Sequence, residues 1–527
     1  MRIADGRAEA CAGKGRTSPS GRSGSPVAFA RLRFGAGLLT RLARARRDGP
    51  APWPPATDRA KAFLERIDAM HAARGAPFAT MLALAGWTRE RLAQSVGARG
   101  LEATLVRLAD DGVRLDADEV KCRVPLARAG RTIAFSPVDL DCAARPSVPL
   151  GTSGTSGPRT KNAIDLDGFE LQASYMRTML DAIGGLELPL ALYYPAPSAA
   201  GIAHMLSFAL AGKPPDAWFC HLPEATGAAL PWSRWLRMLV VAARTVGVRL
   251  PLPALAEVER PDALVDWLRA HACRGAVLAT FPGSALRLAA YAEAAGRPLP
   301  PTTFILGGEP VTARKRALLE SRGHRVYPWY GAVDAGRIAI GCTDPAAPDD
   351  MHLLADRFAA IERDGRLLLT SLSPSVHKLY LNVDGGDLAR LERRSCGCPI
   401  GRLGFDWHVS DVRSVQKLCV EGITLPADLV HRLADEMLPA ACGGTPADYQ
   451  LAEEEGDDGW TRLVVRVAPG IAAPDERAAA TVLDVIVAAA HGMPDVAERI
   501  RRAGVVVVRR EAPRFSPGGK LLAAERP

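Results

Sequence analysis

No uncharged stretch of this sequence is suited to crossing a bilayer. The longest, residues 188–212, carries Pro189, Pro195 and Pro197, each of which breaks a spanning helix and leaves carbonyls unpaired in lipid. The N-terminal region has no continuous apolar segment followed by a small-residue cleavage site, so a cytoplasmic protein is expected. Ten cysteines in 527 residues are too few for the disulfide framework of a small exported domain, and point to reduced thiols or metal ligands. The body of the chain also lacks net charge. Residues 1–50 hold eleven Lys/Arg and three Asp/Glu, which accounts for the whole formal charge of +8. An enzyme body that bound nucleic acid would carry its own basic stripe, so no nucleic-acid partner is expected.

What is present is a globular composition, 48% hydrophobic and 24% charged, in a chain long enough for about two to four folding units. Residues 1–57 are rich in Arg, Gly, Ser and Pro and read as a mostly disordered basic tail. A basic amphipathic anchor over residues 31–47 is the less favoured reading. From Asp58 to Asp116 apolar residues recur at helical spacing (Phe63, Ile67, Met70; Leu92, Val96; Leu101, Leu105, Leu108), predicting a helical entry segment. Between Gly168 and Tyr330, helical stretches such as 262–272 alternate with short apolar runs at 276–280, 303–306 and 325–327. That rhythm predicts an α/β domain with mostly parallel sheets. Beyond Val412 a helix around 426–436, alternation over 463–467, a helix over 475–490 and a strand over 505–508 predict a small α+β domain.

The strongest local signal is Gly151-Thr152-Ser153-Gly154-Thr155-Ser156-Gly157-Pro158-Arg159-Thr160-Lys161. Its glycines let the backbone approach a ligand and its hydroxyls can donate to phosphate oxygens. The Walker pattern fails, since position 156 is Ser and no Gly-Lys follows. A flexible linker is the bland alternative.

This loop resembles the Ser-Gly-Thr-Thr-Gly-x-Pro-Lys signature of the adenylate-forming superfamily of acyl-CoA synthetases and adenylation domains. Further pieces resemble that superfamily in order: Gly307-Gly308-Glu309-Pro310, Tyr330-Gly331-Ala332-Val333-Asp334, Gly386-Asp387-Leu388, Arg413 nine residues before Gly422, and Pro513-Arg514-Phe515-Ser516-Pro517-Gly518-Gly519-Lys520. The segment from Arg413 to Gly422, with the cysteines before it, is most similar to the phenylacetate-CoA ligase-like branch. The chain departs from the family pattern at four places. The loop lysine and Lys520 each stand one residue late, Asp334 replaces Glu, and Val415-Gln416 replaces the Asp-Asp of the hinge.

The resemblance implies a large N-terminal domain over 58–410, a hinge at 411–415 and a small C-terminal domain over 416–527, with the site between them. It implies ATP, Mg²⁺ and coenzyme A as cofactors and a carboxylic acid as substrate. Thr152, Ser153, Gly154, Thr155, Ser156 and Gly157 would hold the β/γ-phosphates. Gly308, Glu309 and Pro310 would border adenine, with Tyr330, Gly331 and Arg413 beside the nucleotide. Asp387 would accept the ribose hydroxyls and Asp334 would hold Mg²⁺. Lys520 would bridge the acid carboxylate and the ribose. Tyr193, Tyr194 and His204 lie where this family often builds its acid-binding wall, though core packing is the favoured reading for them. An acyl carrier protein, an enzyme cysteine or an amine remains open as the acyl acceptor, as does a non-catalytic nucleotide-binding role. Separately, Cys342, His352, Cys396 and Cys398 supply a soft ligand set for a structural tetrahedral Zn²⁺. Reduced cysteines beside an unrelated histidine are the alternative.

Overall fold

The computed structural model describes residues 26–49, 58–73, 75–142, 147–151, 161–195, 199–221, 230–332, 334–414, 417–420, 423–489, 502–513 and 524–525. Among them twelve strands form one sheet. Half of it is parallel: Arg325–Ala332, Thr302–Gly307, Ala276–Thr280, Leu190–Tyr193, Ala217–Cys220 and Pro253–Leu255 follow one another in space. The helices Asp262–Ala270, Pro282–Ala294 and Ala313–Glu320 fall between successive strands, as the alternation over 168–330 predicts. Side chains alternate faces along a strand, and both faces of this half are buried. Leu190, Leu192 and Tyr194 join one core while Ala191 and Tyr193 join the other.

After Ala332 the connections shorten and the sheet turns antiparallel. Gly336–Gly341, Met351–Leu353, Trp407–Ser414, Val383–Arg393, Arg366–Ser371 and Phe358–Arg363 extend it in that order. The parallel rhythm therefore ends at Ala332. The last hairpin turns on Asp364 and Gly365, with φ of 52° and 73°, the left-handed pair that matches strand twist in a two-residue loop.

The predicted helical entry segment forms the helices Arg59–Ala72, Pro77–Leu84, Arg89–Arg99 and Leu101–Asp110. Asp58 caps the first by accepting from the Lys61 amide at 3.0 Å. Phe63, Ile67 and Met70 are fully buried against the antiparallel half of the sheet.

One expectation is corrected. Within the supposed disordered tail, Pro26–Asp48 is a helix, and Phe34, Leu38 and Leu42 are buried in the core of the parallel half. Their spacing of four residues puts all three on one helix face. Burying such a face supplies about 1.5–3 kcal/mol per large side chain, which outweighs the surrounding arginines that stay at the surface. That face is covered by protein, which removes the membrane-anchor reading. No described helix is long and apolar enough to cross a membrane.

The C-terminal part has its own core and a four-stranded sheet ordered Val506–Arg510, Thr461–Val467, Tyr449–Glu455, Ala524–Glu525. The helix Asp475–Ala489 packs on it. The helix expected around 426–436 runs from Ala427 to Arg432, widens into a π-turn over Leu433–Met437 and resumes as Leu438–Cys442. Pro439, which has no amide hydrogen to give to a regular helix, accounts for the widened turn.

The buried His324 gives one pH-dependent term. Its Nδ1 accepts from the Thr302 amide at 3.3 Å and its ring stands edge-on to Phe304. Burial first, and the Arg322 charge second, lower its pKa from 6.5 to about 4. Below pH 6.5 the unfolded chain takes a proton that the folded chain refuses, so stability falls from there towards pH 4, by up to about 1.4 kcal/mol per pH unit. His324→Asn, which can accept but does not titrate, should show a flatter urea-unfolding stability between pH 7 and 5 than the unmodified chain. Identical pH slopes would remove His324 as the cause.

Candidate active site and metal centre

Residues far apart in sequence converge where the parallel half of the sheet meets the antiparallel half. Thr302–Gly307 pairs with Arg325–Ala332, Gly307 facing Trp329. The absence of a side chain at Gly307 is required there, since a Cβ would lie 2.1 Å from the Trp329 ring. Gly308 follows with φ of +83°, a left-handed conformation that suits glycine. The Glu309 carboxylate then accepts from the Gly283 amide at 3.0 Å, at the start of the helix Pro282–Ala294. A carboxylate is favoured at this positive helix end.

Tyr330 and Gly331 lie in the next strand, and the Tyr330 hydroxyl donates to Asp387 Oδ2 at 2.7 Å. Burial, followed by the Asp387 charge, holds the Tyr330 pKa well above its ordinary value, so it remains a donor. Asp387 is aimed by an irregularity of its strand: Gly386 takes φ of +88° and its amide donates to Asp384 Oδ1 at 2.7 Å. Asp334 stands in the turn after Tyr330-Gly331, where its charge, after burial, raises the Tyr380 pKa. Arg413 pairs with Leu388, beside Asp387 and Ser414. It donates to the Val412 carbonyl at 2.8 Å and approaches Asp349 at 3.5 Å.

Residues 411–414, expected as part of a hinge, belong to the strand Trp407–Ser414. Asp411 has a φ of 54° there, uncommon for a residue with a side chain. The Asp411 and Val412 amides both donate to the buried Asp349, at 2.9 and 3.0 Å. Thr152, Ser153, Gly154, Thr155, Ser156, Gly157 and Lys520 lie outside the described residues. The strands flanking 152–160, Ser147–Gly151 and Lys161–Asp165, pair antiparallel with Gly151 opposite Lys161.

The C-terminal part meets the Glu309 turn directly. Thr312 donates to Glu455 at 2.7 Å, and the buried Lys315 Nζ reaches both the Thr461 hydroxyl at 2.8 Å and the Pro310 carbonyl at 3.3 Å. Arg287 stacks over Trp460 at 4.2 Å.

Of the pocket-wall candidates, Tyr194 and His204 stack at 4.6 Å. Tyr193 points to the opposite face, where its hydroxyl donates to the Ala256 carbonyl at 3.2 Å. It is therefore corrected to a core residue, by the strand alternation that separates it from Tyr194.

The four predicted zinc ligands come together. Cys342 Sγ is 3.9 Å from Cys396 Sγ, which is 3.4 Å from Cys398 Sγ and 3.6 Å from His352 Nε2, and His352 Nε2 is 3.1 Å from Cys398 Sγ. A tetrahedral zinc with ordinary bond lengths needs ligand separations of about 3.5–3.8 Å. His352 Nδ1 lies 2.7 Å from the Phe405 carbonyl, which directs Nε2 towards the sulfurs. The Gly401 amide donates to Cys398 Sγ at 3.2 Å and the Asp344 amide to Cys342 Sγ at 3.3 Å. Burial and, more weakly, the His408 charge lower the His352 pKa to about 4, leaving the neutral imidazole that a metal requires. The donor set fits the ion.

Sequence reasoning missed the supporting groups. Asp350 binds His408 Nδ1 at 2.8 Å and pairs with Arg394 beside Cys342. Nothing in their spacing flags them, because three separate strands and loops bring them together. Arg337 was missed too, although a lone charge in the apolar run 335–341 was a usable signal.

No family model and no curated relative matches the chain. Among solved structures it is similar to 2-hydroxyisobutyryl-CoA ligase in the postadenylation state in complex with R3-HIB-AMP, at 16% identity over 90% of each chain with a TM-score of 0.45. An open conformation of that ligase with 2-HIB-AMP and CoA matches at 17% identity over 85% of this chain and 92% of that one, TM-score 0.45. An acyl-CoA synthetase (AMP-forming)/AMP-acid ligase II-like protein from Dyadobacter fermentans matches at 14% identity over 71% and 87%, TM-score 0.30.

Proposed function

We propose that this chain is a carboxylate-adenylating enzyme of the adenylate-forming class. Its particular reaction is then acid–thiol ligation, with coenzyme A as the acceptor. The observation that carries the first reading is the Tyr330–Asp387 bond of 2.7 Å. It joins two motifs that lie 57 residues apart, next to the Gly308-Glu309-Pro310 turn and the Arg413 strand.

Attack of a carboxylate on the α-phosphate of ATP brings two anions together, so the site has to neutralise charge before an in-line displacement. Residues 152–157 bind the β/γ-phosphates. Asp387, oriented by Tyr330, accepts the ribose hydroxyls, and Glu309 borders the adenine. Asp334 would hold Mg²⁺, which supplies charge neutralisation at the phosphates. Lys520 fixes the attacking carboxylate. We place the hinge at 411–415, at the end of the strand Trp407–Ser414, between a large domain over 58–410, onto which the helix Pro26–Asp48 also packs, and a small one over 416–527.

Acid-dependent ATP–pyrophosphate exchange across a panel of carboxylic acids tests the reading, and absence of exchange with every acid rejects it. Asp387→Asn removes a charged acceptor for the ribose, and hydrogen bonds to charged groups contribute about 1.5–3 kcal/mol. The KM for ATP should rise about 10- to 100-fold. Tyr330→Phe should give a smaller rise, since it disturbs only the orientation of Asp387. An unchanged KM in Asp387→Asn places the ribose elsewhere. Product analysis with coenzyme A, a phosphopantetheine carrier and simple amines identifies the acceptor.

A further inference from the structure

Next to the Glu309 turn, five side chains form a buried cluster that the proposed chemistry leaves unexplained. Tyr194 stacks on His204 at 4.6 Å and meets Phe281 edge-on at 5.0 Å, His204 stands edge-on to Trp329 at 5.2 Å, and the Arg337 guanidinium lies over the Trp329 ring at 4.4 Å. Gly307 and Gly308 let the Trp329 and Phe281 rings lie close against the backbone, since a Cβ at either would strike one of them. Trp329 and Tyr330, adjacent in one strand, face opposite sides. Tyr330 reaches Asp387, while Trp329 packs with the core that holds Tyr194.

This cluster holds donors without acceptors among the described residues. Arg337 is 4% exposed, and its Nε and Nη1 are shielded from solvent with no hydrogen-bond partner among the described residues. The Tyr194 hydroxyl and the Trp329 indole nitrogen are likewise shielded and, beyond each other, have no partner among the described residues. The groups that act on the Arg337 charge are Tyr194 and the guanidinium of Arg357, which is itself spent on the Arg337 and Ala335 carbonyls at 3.0 and 3.1 Å. Burial lowers the Arg337 pKa to about 10, with Arg357 adding to the effect against Tyr194, so the group remains charged at neutral pH. A buried guanidinium without a counter-ion is among the costliest arrangements in a protein interior. A substrate anion that accepts from Arg337 and Tyr194 relieves that cost.

We propose that the acid activated by this chain carries a second anionic group at the far end of its acyl part, and that Arg337, backed by Trp329, binds it. This rests on the adenylation reading for the role of the first carboxylate. The aromatic walls suit a short or ring-bearing spacer between the two groups, and His204, its pKa lowered to about 3 chiefly by burial, adds no competing charge.

The test compares matched pairs, benzoate with terephthalate and hexanoate with adipate, in two measurements. One is ATP–pyrophosphate exchange. The other is direct binding of each acid without nucleotide, followed by tryptophan fluorescence, since Trp329 lies under the guanidinium. The diacid of at least one pair should be preferred by about 10²-fold or more in kcat/KM, because a site with unpaired buried donors rejects the analogue that lacks the acceptor. Arg337→Met should abolish that preference and Arg337→Lys should restore part of it, with melting temperatures showing whether each variant folds. Equal use or binding of both members of each pair by the unmodified chain overturns the proposal, independently of any variant. A higher KM for ATP in Arg337→Met, with acid preference unchanged, overturns it in favour of a nucleotide contact. Diacid binding without exchange for any acid leaves Arg337 assigned and sinks the adenylation reading instead.

Discussion

Lys520→Ala is expected to lower acid-dependent ATP–pyrophosphate exchange by about 10²–10³-fold while leaving the melting temperature unchanged, as loss of one preorganised transition-state contact does. The expectation rests on the Pro513 to Lys520 motif and on the way the C-terminal part is held. Ala524–Glu525, just beyond the lysine, pairs with Leu451 and Ala452. The same sheet docks beside the Glu309 turn through Glu455, Thr461 and Trp460. A lysine supplies a compact charge on a long stem, which can lie between the acid carboxylate and the ribose. It becomes valuable where the α-phosphate and the attacking carboxylate approach each other, so the loss falls on the rate and much less on ATP binding. Lys520→Arg should recover little, because a planar fork places its charge differently from an ammonium. Exchange at the unmodified rate in Lys520→Ala removes the lysine from the chemistry.

The second large effect concerns Cys342, His352, Cys396 and Cys398. Protein purified without chelator should carry about one zinc per chain, and Cys398→Ser should lose the metal and melt about 10 °C or more lower. Structural zinc contributes about 10–16 kcal/mol of binding energy to folding, and a domain larger than about 250 residues shifts by roughly 1–2 °C per kcal/mol. With four protein ligands the ion has no open position for substrate, so its role is to hold strands. Cys342 and His352 lie at the end of Gly336–Gly341 and within Met351–Leu353, while Cys396 and Cys398 follow Val383–Arg393, the strand that carries Asp387. Loss of metal should therefore raise the KM for ATP as well as lower stability. Cys273→Ser, which alters an exposed thiol, should do neither. A metal-free preparation that melts with the unmodified protein refutes the site.

Much of this was legible in the chain. The helical period over 58–116 and the strand–helix alternation over 168–330 are short-range patterns, and each became the element it predicts. The cysteine–histidine set was legible because soft ligands are rare enough to stand out. The helix Pro26–Asp48 was not, because six arginines are spread through it and its three buried residues gain their energy only from a surface formed elsewhere. Tyr193 and Tyr194 were indistinguishable in sequence, and the alternation of one strand sends them to opposite faces.

By itself the sequence determined the motifs and their order, from the glycine- and hydroxyl-rich loop at 151–161 to Lys520, since glycine at a tight approach and a charge at a set place are requirements of single positions. Only the tertiary structure decided that Tyr330 bonds Asp387, that four thiol and imidazole groups share one point, and that two nitrogens of the buried Arg337 have no hydrogen-bond partner among the described residues. Those facts depend on the register between strands far apart in sequence and on the exclusion of water, and no local pattern encodes either.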